Sequence, residues 1–474
     1  MSKFKPSRRL ATAASNFPAL KILTPKERAR ANAFGGSHDT STLSLEPPAL
    51  SEALQSQIGN PTRQFAFKCT LIFLFFRFSF LHEYLSAKLN FDTHLLVIFG
   101  GISYFAAFLA GDFFGAFRER ATWMWCGFAA CMTLATAASI WRGGSLATLL
   151  PYLRTTLPFI FLIPAVAYTR DELQKIINII GFAGVTTTML GLFSSDFKTG
   201  RLAFGSVGST IQDSNDYAAH MILLLPAMAY LFFGPKRNMV FKIIGGPVLA
   251  LGLYQIFSTG SRGGLVGLMI TGLYILKKGT PKIRAAILIA VPAATLLIFT
   301  VVPQESAQRL RSLFDSSDAT QEAAESKAAR TFLFWASVHA TLSHPILGVG
   351  PAVFMDYQAG VASGKGQKGM WHDTHNGYTQ VSSECGIPAL LFYLAAIGMT
   401  YISLRKASRS GVPIVSTLGS ILSVMMVGYC VCIVFLSQGY NFNLPVITGI
   451  TTSINRLLPG GDAAGVDDSS GARI

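Results

Sequence analysis

Charge is what this sequence has least of. Asp, Glu, Lys and Arg make up 13% of its 474 residues, where a soluble chain usually carries about a quarter. The deficit argues against a water-facing globule and for a lipid solvent. Short alternating runs of about ten residues, the mark of a membrane barrel, are missing as well. The apolar runs are long and continuous, as helices crossing about 30 Å of hydrocarbon require. Cysteine is sparse. Six are present, no CxxC pair occurs, and neither a disulfide framework nor a metal knuckle is indicated. No internal repeat and no DxD-like nucleotide-sugar site is visible. No apolar segment follows closely on the basic N-terminus, so a signal peptide is not expected there.

Hydrophobic residues amount to 51% of the chain. Apolar runs fall near 65–83, 93–111, 122–141, 146–168, 173–194, 215–234, 240–258, 262–276, 284–303, 387–404, 413–436 and 443–458. The expected fold is therefore an all-α polytopic membrane protein with about a dozen transmembrane helices and one large loop outside. Its parts are a basic, mostly disordered tail at 1–64, helices over 65–303, the loop 304–386, further helices over 387–458, and a short tail at 459–474.

The net charge of +15 would suggest nucleic acid in a soluble chain. Here much of it lies in the tail and in alternate short loops, such as those holding Arg118 and Arg120, Lys236, Arg237 and Lys242, or Arg405, Lys406 and Arg409. That alternation follows the positive-inside rule, and it puts both termini in the cytoplasm. Membrane lipids, with no nucleic acid, are the expected surroundings.

Four polar segments interrupt this pattern, all on the outer side. The first is RLAFGSVGSTIQDSNDYAAH, 201–220, in which Gly205 and Gly208 permit tight turning and Asp213, Asn215 and Asp216 suit a helix start. The second is TGSRGG, 259–264, where a helix beginning at Ser261 would aim its N-terminal dipole and Arg262 at one point. Arginine, free amides and a helix N-terminus suit a phosphate. The third holds Arg330, Trp335 and HPILGVGPAVF, 344–354. The fourth is WHDTHNGYTQVSSECGIPALLFYL, 371–394. If 374–384 is helical, His375, Thr379 and Ser382 share a face. His375 could serve as a base for a hydroxyl. His372 and His375 with Asp373 make only a weak metal pattern, and no metal or other cofactor is expected. A bland alternative remains for each: loops, caps and an arginine that snorkels to head groups.

The ordered set resembles the O-antigen ligase and polymerase superfamily over about 201–394: an outer Arg before an Asn-Asp helix start, an SRGG turn, an Arg…Trp…HP-x-LGVG-P block, and HNGY-x-Q…E-x-G-I-P. That resemblance implies a membrane-embedded, GT-C-like, inverting and metal-independent glycosyltransferase in a bacterial inner membrane. It would act on the periplasmic face. The donor would be a glycan on undecaprenyl pyrophosphate, and the acceptor lipid A-core, another glycan or a protein. Carried over, Arg201, Arg262 and His375 would be catalytic, the arginines on the diphosphate and His375 as base. Arg330, Asn376, Glu384 and Asn215 would contact substrate. A repeat-unit polymerase and a protein O-oligosaccharyltransferase share this chemistry. A solute transporter is the alternative of another class, and would call for charges near the membrane midplane.

Overall fold

The computed structural model describes residues 52–196, 201–204, 211, 213–312, 321–364 and 372–458. Most of the expected N-terminal tail, Gly205, Gly208, Trp371 and the C-terminal tail at 459–474 lie outside the described residues. What is described is almost entirely helical. The exception is a two-residue antiparallel pairing of β1 (Ser195–Asp196) with β2 (Ala203–Phe204).

Caps written into the sequence start several helices. Asn60 accepts from the amides of Thr62 and Arg63 and begins α2 (Pro61–Ser79), which follows the short α1 (Glu52–Gly59). At Phe80 the backbone turns left-handed and the chain bends by 71° into α3 (Leu81–Leu89). Then come α4 (Leu95–Ala110), a 3-10 segment (Asp112–Arg118), α5 (Arg120–Ala137), α6 (Arg142–Pro151), which runs through a π turn into α7 (Phe159–Val166), and α8 (Arg170–Ser194). Beyond the β pairing lie α9 (Ser214–Phe233), α10 (Met239–Ser258), α11 (Arg262–Lys278) and α12 (Pro281–Thr300).

The stretch 304–386, expected as a large loop with helix in its first half, 304–327, carries three whole helices among its described residues. It holds α13 (Gln304–Arg311), α14 (Gln321–Ser343) and α15 (Phe354–Gly364). The chain ends with α16 (Gly377–Ala407), α17 (Pro413–Cys432), a 3-10 turn (Ile433–Phe435) and α18 (Asn443–Arg456).

Each expected apolar run falls on helix, but fewer helices qualify as crossings. Among the described residues six are long and apolar enough to span a membrane, or up to eight if each bent pair counts as one. Helices α11 and α18 have 17 and 14 residues, short of the ~20 that a straight crossing takes. In α18 every residue but Asn455 is buried. It lies against α7, α16 and α17. Thr448 is paired inside: its Oγ1 accepts from Trp125 Nε1 at 2.9 Å and lies 2.9 Å from Thr400 Oγ1. Arg456 closes its end on the Pro164 carbonyl and Asp112. This helix belongs to the protein core.

Helix α9 is the central post, buried along most of its length and packed on α8, α10 and α17. Helix α16 carries a break. Gly386 has φ +89°, and a Cβ there would collide with the Ile346 carbonyl. The break lets residues 344–350 dock along it: Val349 N–H donates to the Ser383 carbonyl, Gly350 N–H to Glu384, and Ile387 N–H to Pro345. The HPILGVGP block and the E-x-G-I-P block are thus two halves of one backbone joint.

Candidate functional site

The TGSRGG turn folds as its residues dictate. Ser261 caps α11 by accepting from Gly264 N–H at 3.1 Å, and Gly260 supplies the left-handed residue at φ +58°. Arg262 is therefore the first residue of the helix and stands half-buried at its positive end. Two contacts brace the turn. Ser306 Oγ donates to the Ser258 carbonyl at 2.8 Å, which draws α13 beneath it. Arg201 Nε donates to the Thr259 carbonyl at 2.8 Å.

Arg201 also joins the turn to α9. Its Nη2 donates to Asn215 Oδ1 at 3.3 Å. Asn215 in turn donates to Asp213 Oδ2 at 3.0 Å. Asp213 caps α9, accepting from the amides of Asn215 and Asp216, as the sequence suggested. The first two polar segments thus form one unit, with Arg201 as the cross-brace.

A narrow cleft, too tight as it stands to admit a water molecule, lies at this unit. It is lined by Asn215, Ser261, Gly263, Gly264, Arg330, Cys432, Phe435 and Leu436. Its polar wall combines the N-terminus of α11 with the Arg330 guanidinium from α14. Its apolar wall is the end of α17. Preset donors beside an apolar surface suit the charged head of an amphiphile. Arg309, on α13 and only 8% exposed, adds a third positive charge that acts on both Arg262 and Arg330.

His375 belongs to the same electrostatic neighbourhood. It does not lie on the helix expected at 374–384, because α16 starts at Gly377. Asn376 is its cap, accepting from the amides of Tyr378 and Thr379. His375 precedes the cap with left-handed φ of 49°, and its N–H donates to Ser437 Oγ at 2.9 Å. Thr379 and Ser382 consequently do not share a helical face with it. Ser382 Oγ is 2.9 Å from Thr341 Oγ1 on α14 instead.

Partial burial pushes the His375 pKa below its ordinary value. The Arg330 charge lowers it further, with a smaller effect of His372, and Asp213 opposes both. The imidazole is therefore neutral at neutral pH and free to take a proton. Asp373, next to it, is raised by burial against the opposing effect of His372.

Glu384 lies elsewhere. It is 1% exposed, and its Oε2 accepts from Ala352 N–H at 2.8 Å and Tyr440 OH at 2.7 Å. Like Asn376, it engages the protein's own groups. Among the described residues no three His, Cys, Asp or Glu side chains gather as a metal-ligand set. The rings of His372 and His375 are 6.4 Å apart.

Sequence reading missed Arg309, which looks like one more charge on a polar helix, and the segment Ser437–Tyr440. The only signal of the latter was a short polar gap between two apolar runs.

Residues 247–394, less than a third of the chain, match the family model described as Wzy_C, O-Antigen ligase. The matched stretch contains the TGSRGG turn, Arg330 and the HNGY block, and it supports the resemblance to the O-antigen ligase superfamily. Members of this family are membrane glycosyl-transferring enzymes. Together with the apolar helices, the match marks a multi-pass membrane protein. No curated protein matches the chain.

Proposed function

We propose, taking the O-antigen ligase domain at 247–394 as the premise, that the protein moves a glycan from undecaprenyl pyrophosphate to an acceptor hydroxyl at the periplasmic face of the bacterial inner membrane. The observation that carries this reading is the placing of a cationic, amide-rich wall in the same neighbourhood as a half-buried histidine, whose pKa is lowered by burial first and by Arg330 of that wall second.

In this reading Arg262, Arg330 and the α11 N-terminus receive the donor diphosphate. Arg201 holds the turn. Asn215 orients Arg201, and Asn376 and Glu384 set the frame of the His375 loop. The apolar flank at Cys432, Phe435 and Leu436 takes the first part of the polyprenyl chain. The acceptor oxygen attacks the anomeric carbon while the bond from that carbon to the diphosphate oxygen breaks. The oxygen's proton goes to the open ring nitrogen of His375, and the diphosphate leaves with the electron pair. Preplaced guanidiniums stabilise the charge that builds on the leaving oxygens, and they do so most strongly where water is partly excluded. A single displacement inverts the anomeric centre and calls for no metal in this scheme. A positioned base contributes about 10²–10⁴ in rate.

The test is complementation with His375→Ala and Arg262→Ala in a strain deleted for the gene, with glycan and protein level read together. Normal insertion, loss of lipid A-core-linked glycan and accumulation of long lipid-linked glycan support the ligase. Accumulation of single lipid-linked repeats identifies a polymerase instead, and loss of glycosylated protein an oligosaccharyltransferase. Full activity in both variants sinks the site, and a transporter becomes the better reading.

A further inference from the structure

One short stretch outside both the matched domain and the four sequence motifs touches the His375 loop, the start of α9 and the first turns of α16. Residues 437–440 connect the 3-10 turn after α17 to α18. Together they grip three elements: the His375 loop, α9 and α16. Ser437 Oγ accepts from His375 N–H at 2.9 Å and lies 3.3 Å from Thr374 Oγ1. Gln438 Nε2 donates to Asp216 Oδ1 on α9 at 2.8 Å. Gly439 N–H donates to Gln380 Oε1 on α16 at 2.9 Å. Tyr440 OH donates to Glu384 Oε2 at 2.7 Å.

These bonds matter because of where His375 sits. Its φ of 49° is a conformation that a residue with a Cβ adopts only when its surroundings hold it there. The Asn376 cap fixes the residue after it. Its own amide is fixed by Ser437. Gln438 ties the same stretch to the α9 start that carries Asp213 and Asn215, whose partner is Arg201. The stretch therefore ties the His375 loop to the helix start that Arg201 braces.

We infer that residues 437–440 are a positioning element for the transfer reaction, with Ser437 the residue that aims His375. This inference rests on the proposed role of His375 as base. Ser437 touches neither substrate nor the reacting atoms and acts through the backbone of its neighbour. Its loss should disturb the chemical step and leave donor binding nearly intact. The groups that set the His375 titration are Arg330 on α14, Asp213 at the head of α9 and His372 on its own loop, with Asp373 beside it. Ser437 carries no charge, so removing its hydroxyl changes the titration only by letting the loop relax towards water.

The test uses the full-length protein in detergent, with lipid-linked glycan as donor and its acceptor, comparing wild type with Ser437→Ala and Ser437→Thr. The alanine variant is expected to lose about tenfold or more in kcat, with donor KM within about twofold, because a small misplacement of a reacting group is costly. The acid limb of its kcat profile should move up towards the ordinary histidine value of about 6.5. Threonine keeps the acceptor oxygen and should restore both. If the alanine variant does not accumulate, Ser437→Cys, with a weak sulfur acceptor, should show the same shift in smaller measure. An unchanged kcat and acid limb overturn the inference. So does a loss of kcat that follows thermal stability while the acid limb stays fixed. His375→Ala in the same assay separates the two levels: if it remains active, the reading of the base has failed, not merely the aim.

Discussion

Arg201 and Thr259 are 58 positions apart, yet the guanidinium Nε of the first donates to the carbonyl of the second at 2.8 Å. The same side chain reaches Asn215 at 3.3 Å. One arginine thus holds the two helix starts that face the cleft, α9 and α11. A lysine cannot reproduce this, since it offers one point of charge and not a planar fork. Arg201→Lys is expected to lower kcat/KM by about a hundredfold, roughly 2.7 kcal/mol of transition-state stabilisation. Steady-state kinetics on purified protein checks it, and near-normal activity would remove Arg201 from the site.

The pH dependence follows from the setting of His375. Its folded pKa is lowered by burial first and by Arg330 second, so its neutral form persists below the ordinary value of about 6.5. Activity that needs a neutral base should therefore hold as pH falls past that value and decline only below it. Arg330→Gln removes a positive neighbour, raises the His375 pKa and should move the acid limb upward, besides weakening donor binding. Stability has the same sign. The contribution of neutral His375 is complete above the unfolded pKa and is lost as pH falls towards the folded one. A kcat profile measured on both proteins decides the matter, and coincident acid limbs would contradict it.

Gly386→Ala tests the joint between the two Gly-rich blocks. A Cβ at φ +89° is strained, and it would also meet backbone at Ile346 and Leu347, which cannot turn aside. Strain alone costs about 1–3 kcal/mol. The variant should show a lower Tm or fail to accumulate, with the 344–350 segment newly open to protease. A wild-type melting curve would mean the joint is looser than these contacts imply.

Far from the cleft, Arg63 and Glu172 form an ion pair of 2.7 Å with side-chain exposures of 1% and 11%. Glu172 Oε2 also accepts from the amides of Tyr168 and Thr169, which locks the start of α8. Breaking such a pair leaves a buried charge poorly matched and costs about 3 kcal/mol or more. Glu172→Gln should lower Tm in detergent while leaving the kcat of surviving protein unchanged. A matching loss of kcat would mean that this end is coupled to the site.

Much of this could be read from residues alone, and what could was local. Asp213 and Ser261 are caps because their side chains reach amides two or three residues on, and the sequence states that spacing directly. The apolar runs became helices because hydropathy is a property of a window. The site's closure was hidden, since Gln438 and Asp216 are 222 positions apart and neither residue type announces its partner. Helix α16 starting at Gly377 was half legible. Asn376 is a strong cap, but a helix drawn from 374 put His375 one position inside it. Of the dozen expected crossings, six to eight meet the length and hydropathy for one among the described residues; a window of apolar residues does not distinguish lipid from protein as the neighbour, and α18 is the clearest case.

That helix has a consequence for biogenesis. At about 1.5 Å per residue its 14 residues extend some 21 Å, and Thr448, Thr451, Thr452, Ser453 and Asn443 would face hydrocarbon if it left the ribosome alone. It has little reason to partition on its own merits. Its place is created by α7, α16 and α17, where Trp125 and Thr400 wait as partners. The seat of this helix therefore depends on the helices around it. Residues 437–440 lie just before it in the chain, so the loop that holds the proposed base and the helix that completes the bundle depend on neighbouring stretches of sequence.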